Sequence, residues 1–284
     1  MKTGVVDVGG GLRGIYAAGV FDYCLDAGIR FDVCIGVSAG SANIASYLAG
    51  QRGRNYQFYS EYSFRKKYMS FRNFVFKKSY IDMNYLYGTL SNSTGENPLD
   101  YPKIVRNPSE MLVVASNAQT GKPAYFNKND LKQDNYSILK ASCSIPFVCR
   151  PYEIEGIPYY DGALSDPVPV EKAFQYGCDK VVVILTKPED FIRDPGKDEK
   201  FAKRIQKKYP VSAENLRQRA EKYNREVELA KQYRDQGRVL IIAPDDTCGV
   251  DTLTRDREAL KCFYRKGYED AQTIEEFLKL AGKK

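Results

Sequence analysis

Histidine is absent from the 284 residues. That excludes a Ser-His-Asp triad, a Cys-His dyad, an H-E-x-x-H zinc site and any imidazole base. Acid–base chemistry near neutral pH must then use a carboxylate, a lysine, a tyrosine or a cysteine. Long apolar runs are missing too. No stretch approaches the ~18 uncharged apolar residues of a membrane span, so nothing is expected to cross a bilayer. The first apolar run breaks at Asp7, too early for the core of a secretion signal. C-x-x-C pairs are also lacking. The cysteines (Cys24, Cys34, Cys143, Cys149, Cys178, Cys248 and Cys262) are odd in number and scattered, indicating neither a zinc knuckle nor a disulfide scaffold. They read as small buried apolar residues in a reducing compartment, and the protein reads as cytoplasmic.

What is present is ordinary globular composition, 43% apolar and 28% charged, which excludes disordered and collagen-like classes. The length suits one large α/β domain or such a domain with an appendage. Net charge is +7, but residues 1–186 carry 20 Lys/Arg and 17 Asp/Glu while residues 187–284 carry 23 and 19. The second part is twice as charge-dense yet nearly balanced. Such balance predicts solvated helices laced with i,i+4 pairs, not a nucleic-acid-binding stripe.

The first 50 residues alternate strand and helix signals. Thr3–Val8 reads as a strand ending in Gly9-Gly10-Gly11. The segment from Leu12 to Leu25 reads as a helix with Ala17, Phe21, Cys24 and Leu25 on one face. Small Gly14, Ala18 and Gly19 beside that face suggest close packing on a sheet. Phe31–Val37 reads as a second strand and Ala39–Leu48 as a helix, which together imply a parallel sheet with right-handed crossovers. Further on, hairpins are expected around Gln119-Thr120-Gly121-Lys122 and Glu155-Gly156, helices over Tyr136–Ser144 and Val170–Tyr176, and a buried strand over Val181–Leu185. Pro188 and Asp194-Pro195-Gly196 mark a boundary, dividing residues 1–187 from a mainly helical region, 188–284, packed on the same domain. Within that region helices are expected at 198–208, 212–236 and 254–281, and a strand at Val239–Ala243.

Three motifs carry chemistry. Gly36-Val37-Ser38-Ala39-Gly40 is a G-x-S-x-G sequence between a strand and a small-residue helix, the context of a nucleophile elbow. Ser38 would sit at a helix N-terminus, where N–H groups and the dipole favour a developing alkoxide; the bland alternative is a serine cap in a tight turn. Gly9-Gly10-Gly11-Leu12-Arg13-Gly14 fits two functional readings. A dinucleotide loop would need an acid at the end of the second strand, but Asp32 opens that strand and Ser38 closes it, and no G-K-[ST] follows for a P-loop. The other reading is an oxyanion hole built from Gly9, Gly10, Gly11, Leu12 and Arg13, on the same sheet edge as Ser38. Asp161, in Asp161-Gly162-Ala163, is a carboxylate on a tight turn that can serve as base where no histidine exists; alone it is equally an Asx-turn.

In this order, the three motifs resemble the patatin-like phospholipases. The likeness extends to Ala141-Ser142, Pro146, Phe147, Tyr160 and Pro167 and covers residues 3–187. It implies a three-layer α/β/α sandwich with a mainly parallel sheet. It further implies a Ser38–Asp161 dyad cleaving fatty-acyl esters with no metal and no cofactor, supported by Gly14, Gly36, Gly40 and Gly162. Ala163 departs from a commoner glycine, and Asp166 from an asparagine that often precedes the family's proline. Residues 188–284 resemble the extra helical C-terminal region of some bacterial members. The expected substrate is an acyl ester or phospholipid. A short-chain carboxylesterase and a catalytically silent binding protein are the alternatives on the same fold, and no oligomeric state is implied. Arg13 would either add positive charge near the oxyanion or a phosphate, or pair with a carboxylate on the helix face.

One segment outside the motifs stands out. Residues 63–78 hold Arg65, Lys66, Lys67, Arg72, Lys77 and Lys78 with no acid, interleaved with Phe64, Tyr68, Phe71, Phe74 and Phe76. It reads either as a flap docking peripherally on an anionic membrane or as an amphipathic stretch whose rings complete the core or a subunit contact.

Overall fold

The computed structural model describes residues 1–196 and 198–279. One sheet contains β1 (Thr3–Asp7), β2 (Val33–Val37), β3 (Glu110–Asn117), β4 (Pro123–Asn127), β5 (Tyr152–Ile154), β6 (Ile157–Asp161), β7 (Lys180–Ile184) and β8 (Val239–Ile242). The order is β5-β6-β3-β2-β1-β7-β8, with β4 also on β3. From β3 to β8 the pairings are parallel, and antiparallel pairing is confined to β3–β4, β3–β6 and β5–β6. The helices are α1 (Ile15–Asp26), α2 (Ala39–Leu48), α3 (Arg54–Ser60), α4 (Phe71–Lys77), α5 (Tyr101–Arg106) and α6 (Ser137–Ser142). They continue with α7 (Val170–Gln175), α8 (Asp198–Ile205), α9 (Pro210–Asp235), α10 (Arg257–Asp270) and α11 (Thr273–Lys279).

The central strands are apolar on consecutive residues because both faces of the sheet are covered. Val5, Cys34, Val113 and Val182 point into a layer built from α1, α2 and α10. Val6, Ile35, Leu112 and Val183 point into the opposite layer, where α7 and α9 supply Val170, Ala173, Tyr223, Val227 and Ala230. The result is the three-layer α/β/α sandwich that the sequence implies. Residues beyond 187 are woven into it, for β8 extends the same sheet and α9 covers one face.

Three local expectations are corrected. The helix from Leu12 begins as a short 3-10 turn, Gly11–Gly14, and α1 is buried at every position from Ile15 to Asp22 instead of along one stripe. The reason is α10, which crosses its outer side. A Cβ on Gly19 would fall 2.1 Å from the Tyr264 carbonyl oxygen, and one on Gly267 would fall 2.0 Å from that of Tyr16. Gly19 therefore lets two helix backbones touch and does not face the sheet. Gly14 abuts Tyr59 and Ala39, likewise helix neighbours. The second correction concerns cysteine. Five of the seven are buried free thiols, but Cys248 and Cys262 form a disulfide with Cα atoms 6.3 Å apart. The C-terminal helix expected over 254–281 is two helices, α10 and α11, and its last residues lie outside the described ones.

The α1–α10 contact gives a test. Alanine is favoured over glycine within a helix by about 1 kcal/mol, whereas forcing a methyl into a filled backbone contact costs about 1–3 kcal/mol or more. Gly267→Ala should therefore lower the urea midpoint. An unchanged or raised midpoint would show that the helices do not touch there.

Candidate active site

Adjacent parallel strands open their following loops at the same carboxyl edge of a sheet. β1 and β2 are such a pair, and so the glycine loop and the serine turn meet. Ser38, between β2 and α2, has φ 56° and ψ −129°, a strained conformation for a residue with a side chain. Its neighbours hold it there. The Ser38 N–H donates to Ser142 Oγ at 2.9 Å, and its carbonyl accepts from Ser41 Oγ at 2.7 Å. The turn is possible because backbone crowds its flanking glycines. A Cβ would fall 2.5 Å from Ser41 Cα at Gly36 and 2.3 Å from the Asp7 carbonyl oxygen at Gly40. Ser38 is 5% exposed, shielded by protein yet bordering a cavity.

The glycine loop is organised by a residue that the motif does not contain. Asp7, at the end of β1, is fully buried, and its Oδ1 accepts the Gly9 N–H at 2.9 Å. Its Oδ2 accepts from Asn43 Nδ2 on α2 at 2.9 Å. Burial pushes the Asp7 carboxyl up to about 6, against the opposing pull of Asn43 and the Gly9 N–H. Thr186 Oγ1 donates to the Gly9 carbonyl at 2.6 Å and fixes the loop from β7's side. Gly9, Gly10 and Gly11 have φ of 67°, 130° and 63°, a region that residues with a Cβ rarely adopt.

The expected set of oxyanion residues is narrowed by these bonds. The Gly9 N–H is taken by Asp7, and the Leu12 N–H donates to the Thr252 carbonyl at 3.0 Å. Neither is a free donor in this structure. The N–H groups of Gly10 and Gly11 have no acceptor among the described residues. Arg13 pairs with a carboxylate, the second reading offered for it. Its Nη1 donates to Asp251 Oδ1 at 2.5 Å and Thr252 Oγ1 at 2.9 Å, while its guanidinium lies over Gly10, within 3.2 Å of where a Cβ would be. The partner acid is on the loop before α10, not on a helix face.

Asp161 ends β6 beside the elbow and is 3% exposed. Its N–H donates to the Ser144 carbonyl at 2.9 Å, and its Oδ1 accepts the Ala163 N–H at 2.9 Å. Gly162 is needed because a Cβ there would sit 2.3 Å from the Val114 carbonyl oxygen. The Ser38 hydroxyl lies against the Asp161 carboxylate and favours its charged form, without completing the geometry of a full hydrogen bond. Such contacts commonly tighten only when substrate binds. Burial dominates and raises the Asp161 carboxyl to about 6; Ser38, the Ala163 N–H, Arg219 and Arg193 oppose it. Asp166, the departure noted above, accepts from the Tyr125 hydroxyl.

A narrow apolar cavity of about 60 Å³ opens beside Ser38, lined by Leu12, Phe58, Met69, Ile81 and Leu86 among others. Thr252 is among its lining residues. Of the basic segment 63–78, Tyr68 and Met69 are buried, but α4 turns Phe71, Val75 and Phe76 outward, at 73%, 54% and 76% exposure. Arg65 pairs with Glu96, and Lys77 with Asp82. Lys66, Lys67, Arg72 and Lys78 are exposed, with no acidic partner among the described residues.

Asp7, Asn43, Ser142, Thr186 and Thr252 all shape the site, yet none was singled out as a site residue from sequence. Asp7 had a signal, a lone carboxylate at the carboxyl end of an apolar parallel strand. Ser142 had one in the Ala141-Ser142 likeness, while Asn43, Thr186 and Thr252 had none, because they act through contacts between segments distant in the chain.

Comparison with known proteins agrees with this geometry. Residues 8–174 match the family described as patatin-like phospholipase, and residues 209–280 match a domain of unknown function, DUF6363. The uncharacterized protein YjjU of Escherichia coli is 30% identical over 199 residues, 68% of this chain and 54% of that protein. The chain thus spans about half the length of that curated relative. The crystal structure of VipD from Legionella pneumophila superposes with a TM-score of 0.50 at 13% identity, covering 96% of this chain and 66% of that one, and supports the fold. No described helix is long and apolar enough to cross a membrane. On the match over residues 8–174, the chain belongs to the patatin-like phospholipase family.

Proposed function

We propose that the chain is a serine acyl-ester hydrolase of the lipid acyl hydrolase type, acting through a Ser38–Asp161 dyad and an acyl-enzyme. One observation carries this reading. A strained serine, a buried carboxylate against its hydroxyl and two unpartnered backbone N–H groups converge at one sheet edge. Asp161 takes the Ser38 proton as Oγ attacks the acyl carbonyl, and the electrons displaced onto oxygen are held by the N–H groups of Gly10 and Gly11. Collapse expels the alcohol, which recovers the proton from Asp161. Water then attacks the acyl-enzyme with Asp161 again as base, releasing the carboxylic acid. A carboxyl at about 6 suits this work, being ionised at neutral pH yet more basic than an exposed aspartate.

The apolar cavity would take the acyl chain. Its narrowness favours a second reading of the same dyad, a hydrolase of short acyl chains. Hydrolysis rates of p-nitrophenyl esters from acetate to palmitate separate the two. A long-chain substrate would be met at a membrane, and the outward rings of α4 among unpaired cations support docking on anionic lipid. The alternative that these rings complete the core applies to Tyr68 and not to Phe71 or Phe76.

Ser38→Ala and Asp161→Asn should each lower ester hydrolysis by roughly 10⁴-fold or more, and a fluorophosphonate should label Ser38 alone. Ionising Asp161 in its buried site costs stability, a cost felt as pH rises through about 6, so Asp161→Asn should melt no lower than wild type at pH 8. Labelling and hydrolysis should fall as pH drops through about 6, where the base is protonated. Labelling elsewhere, full activity in Asp161→Asn, or no hydrolysis of any ester by wild type would overturn the dyad.

Each cation near an anionic surface contributes about 1 kcal/mol. Phe71→Ser/Phe76→Ser and Lys66→Glu/Lys67→Glu should therefore both weaken sedimentation with phosphatidylglycerol vesicles, measured at low salt. Wild-type sedimentation by either double variant would remove the membrane role.

A further inference from the structure

Four cations, Arg13, Lys187, Arg193 and Arg219, lie outside the lining of the apolar cavity. Arg13 lies over Gly10, as described. Arg219, on α9, makes a two-pronged pair with Asp198, Nε to Oδ2 at 3.0 Å and Nη2 to Oδ1 at 2.5 Å. One turn further along α9, the Tyr223 ring lies 5.9 Å from the Arg193 guanidinium carbon. Arg193 is held by its backbone, its N–H donating to Asn224 Oδ1 at 2.8 Å and its carbonyl accepting from Asn224 Nδ2 at 3.0 Å. Lys187 is half-buried, its ammonium 5.0 Å from the Phe191 ring, and burial together with the charges of Arg13 and Arg193 lowers its proton affinity.

The pairing in this cluster is incomplete. Asp198 serves Arg219 and Asp251 serves Arg13, while Arg193 donates from its side chain to no described residue. The Nε atoms of both Arg13 and Arg193 are buried without an acceptor. Burial together with Arg219 lowers the proton affinity of Arg193, to about 10. Unpaired guanidinium groups under cover are costly unless an anion completes them. Arg219 and Arg193 also favour the charged form of Asp161.

We propose that Arg193, with Arg13 and Arg219, forms a phosphate-binding subsite beside the Ser38–Asp161 dyad. The planar guanidinium fork suits phosphate oxygens. The ligand is either the phosphodiester of a lipid headgroup or inorganic phosphate. Only the headgroup source rests on the acyl-hydrolase reading. With a headgroup held here and the acyl chain in the apolar cavity, the scissile ester lies between them, over Ser38. The cations that distinguish this subsite from the glycine loop come from the connection after β7 and from α9, outside the segment that carries the three motifs.

Calorimetric titration of the full chain with sodium phosphate and with sn-glycero-3-phosphoglycerol tests the subsite without needing hydrolysis. Wild type should bind at least one of them, and Arg193→Gln should weaken it about 10- to 100-fold, the range for hydrogen bonds to a charged group. Arg193→Lys should keep part of the affinity. Tighter binding of the diester identifies a headgroup site, and binding of inorganic phosphate alone identifies a free-phosphate site. The bound anion should also slow fluorophosphonate labelling of wild-type Ser38, a readout independent of any variant's folding. Failure of both anions to bind, wild-type affinity in Arg193→Gln, or no protection of Ser38 would overturn the proposal. Phosphate binding in a chain that hydrolyses no ester would count against the acyl-hydrolase reading and leave the subsite standing.

Discussion

The Asp7 carboxylate ties together everything the site needs. One oxygen holds the Gly9 N–H and the other holds Asn43, so a single buried group joins the glycine loop after β1 to α2, the helix that begins at the serine turn. Its own backbone lies so close to Gly40 that no side chain fits between them. The loop and the turn are therefore locked at a fixed separation by contacts that leave the Gly10 and Gly11 N–H groups unspent. Preorganised donors of this kind need no rearrangement as charge develops on a substrate oxygen. The strain at Ser38 is sustained by the same frame, with Ser142 Oγ accepting the Ser38 N–H from the other side.

The region after residue 187 is part of this construction. β8 extends the sheet, and α10 seals α1 through the Gly19 and Gly267 contacts. Between them, the loop before α10 sets the Thr252 carbonyl on the Leu12 N–H and Asp251 on Arg13. Arg255 on that loop donates to the Met69 carbonyl, and Arg257 Nη1 at the start of α10 reaches the Ser60 carbonyl at the end of α3 at 3.0 Å. The C-terminal region thus contributes Thr252 to the lining of the apolar cavity and, through Arg193 and Arg219, favours the charged form of Asp161.

Much of this was legible in the sequence because it rests on local patterns. Strands β1 and β2, helices α1 and α2, both hairpins and the strand β7 follow from apolar periodicity and turn residues, which act over a few residues. The three motifs lie where their glycines require, since Gly36, Gly40 and Gly162 each mark a backbone crossing. The remainder depends on contacts between distant segments. Nothing near Gly19 announces that Tyr264 lies across it, and nothing near Cys248 marks Cys262 as its partner. Gly9 and Leu12 belong to the motif, yet their N–H groups are taken by Asp7 and by Thr252 from 240 positions further along. A motif defines which residues are present; only the fold shows which donors remain free.

The central claim is that Gly10 and Gly11 present free N–H groups to an oxygen on a group bound at Ser38. The most direct measurement is a crystal structure of the fluorophosphonate-treated protein. The account predicts a phosphonyl group on Ser38 Oγ, with its oxygen about 2.7–3.1 Å from the Gly10 and Gly11 nitrogens and Asp161 still beside Oγ. A phosphonyl oxygen turned toward solvent or toward other donors, with the glycine N–H groups unengaged, would contradict it.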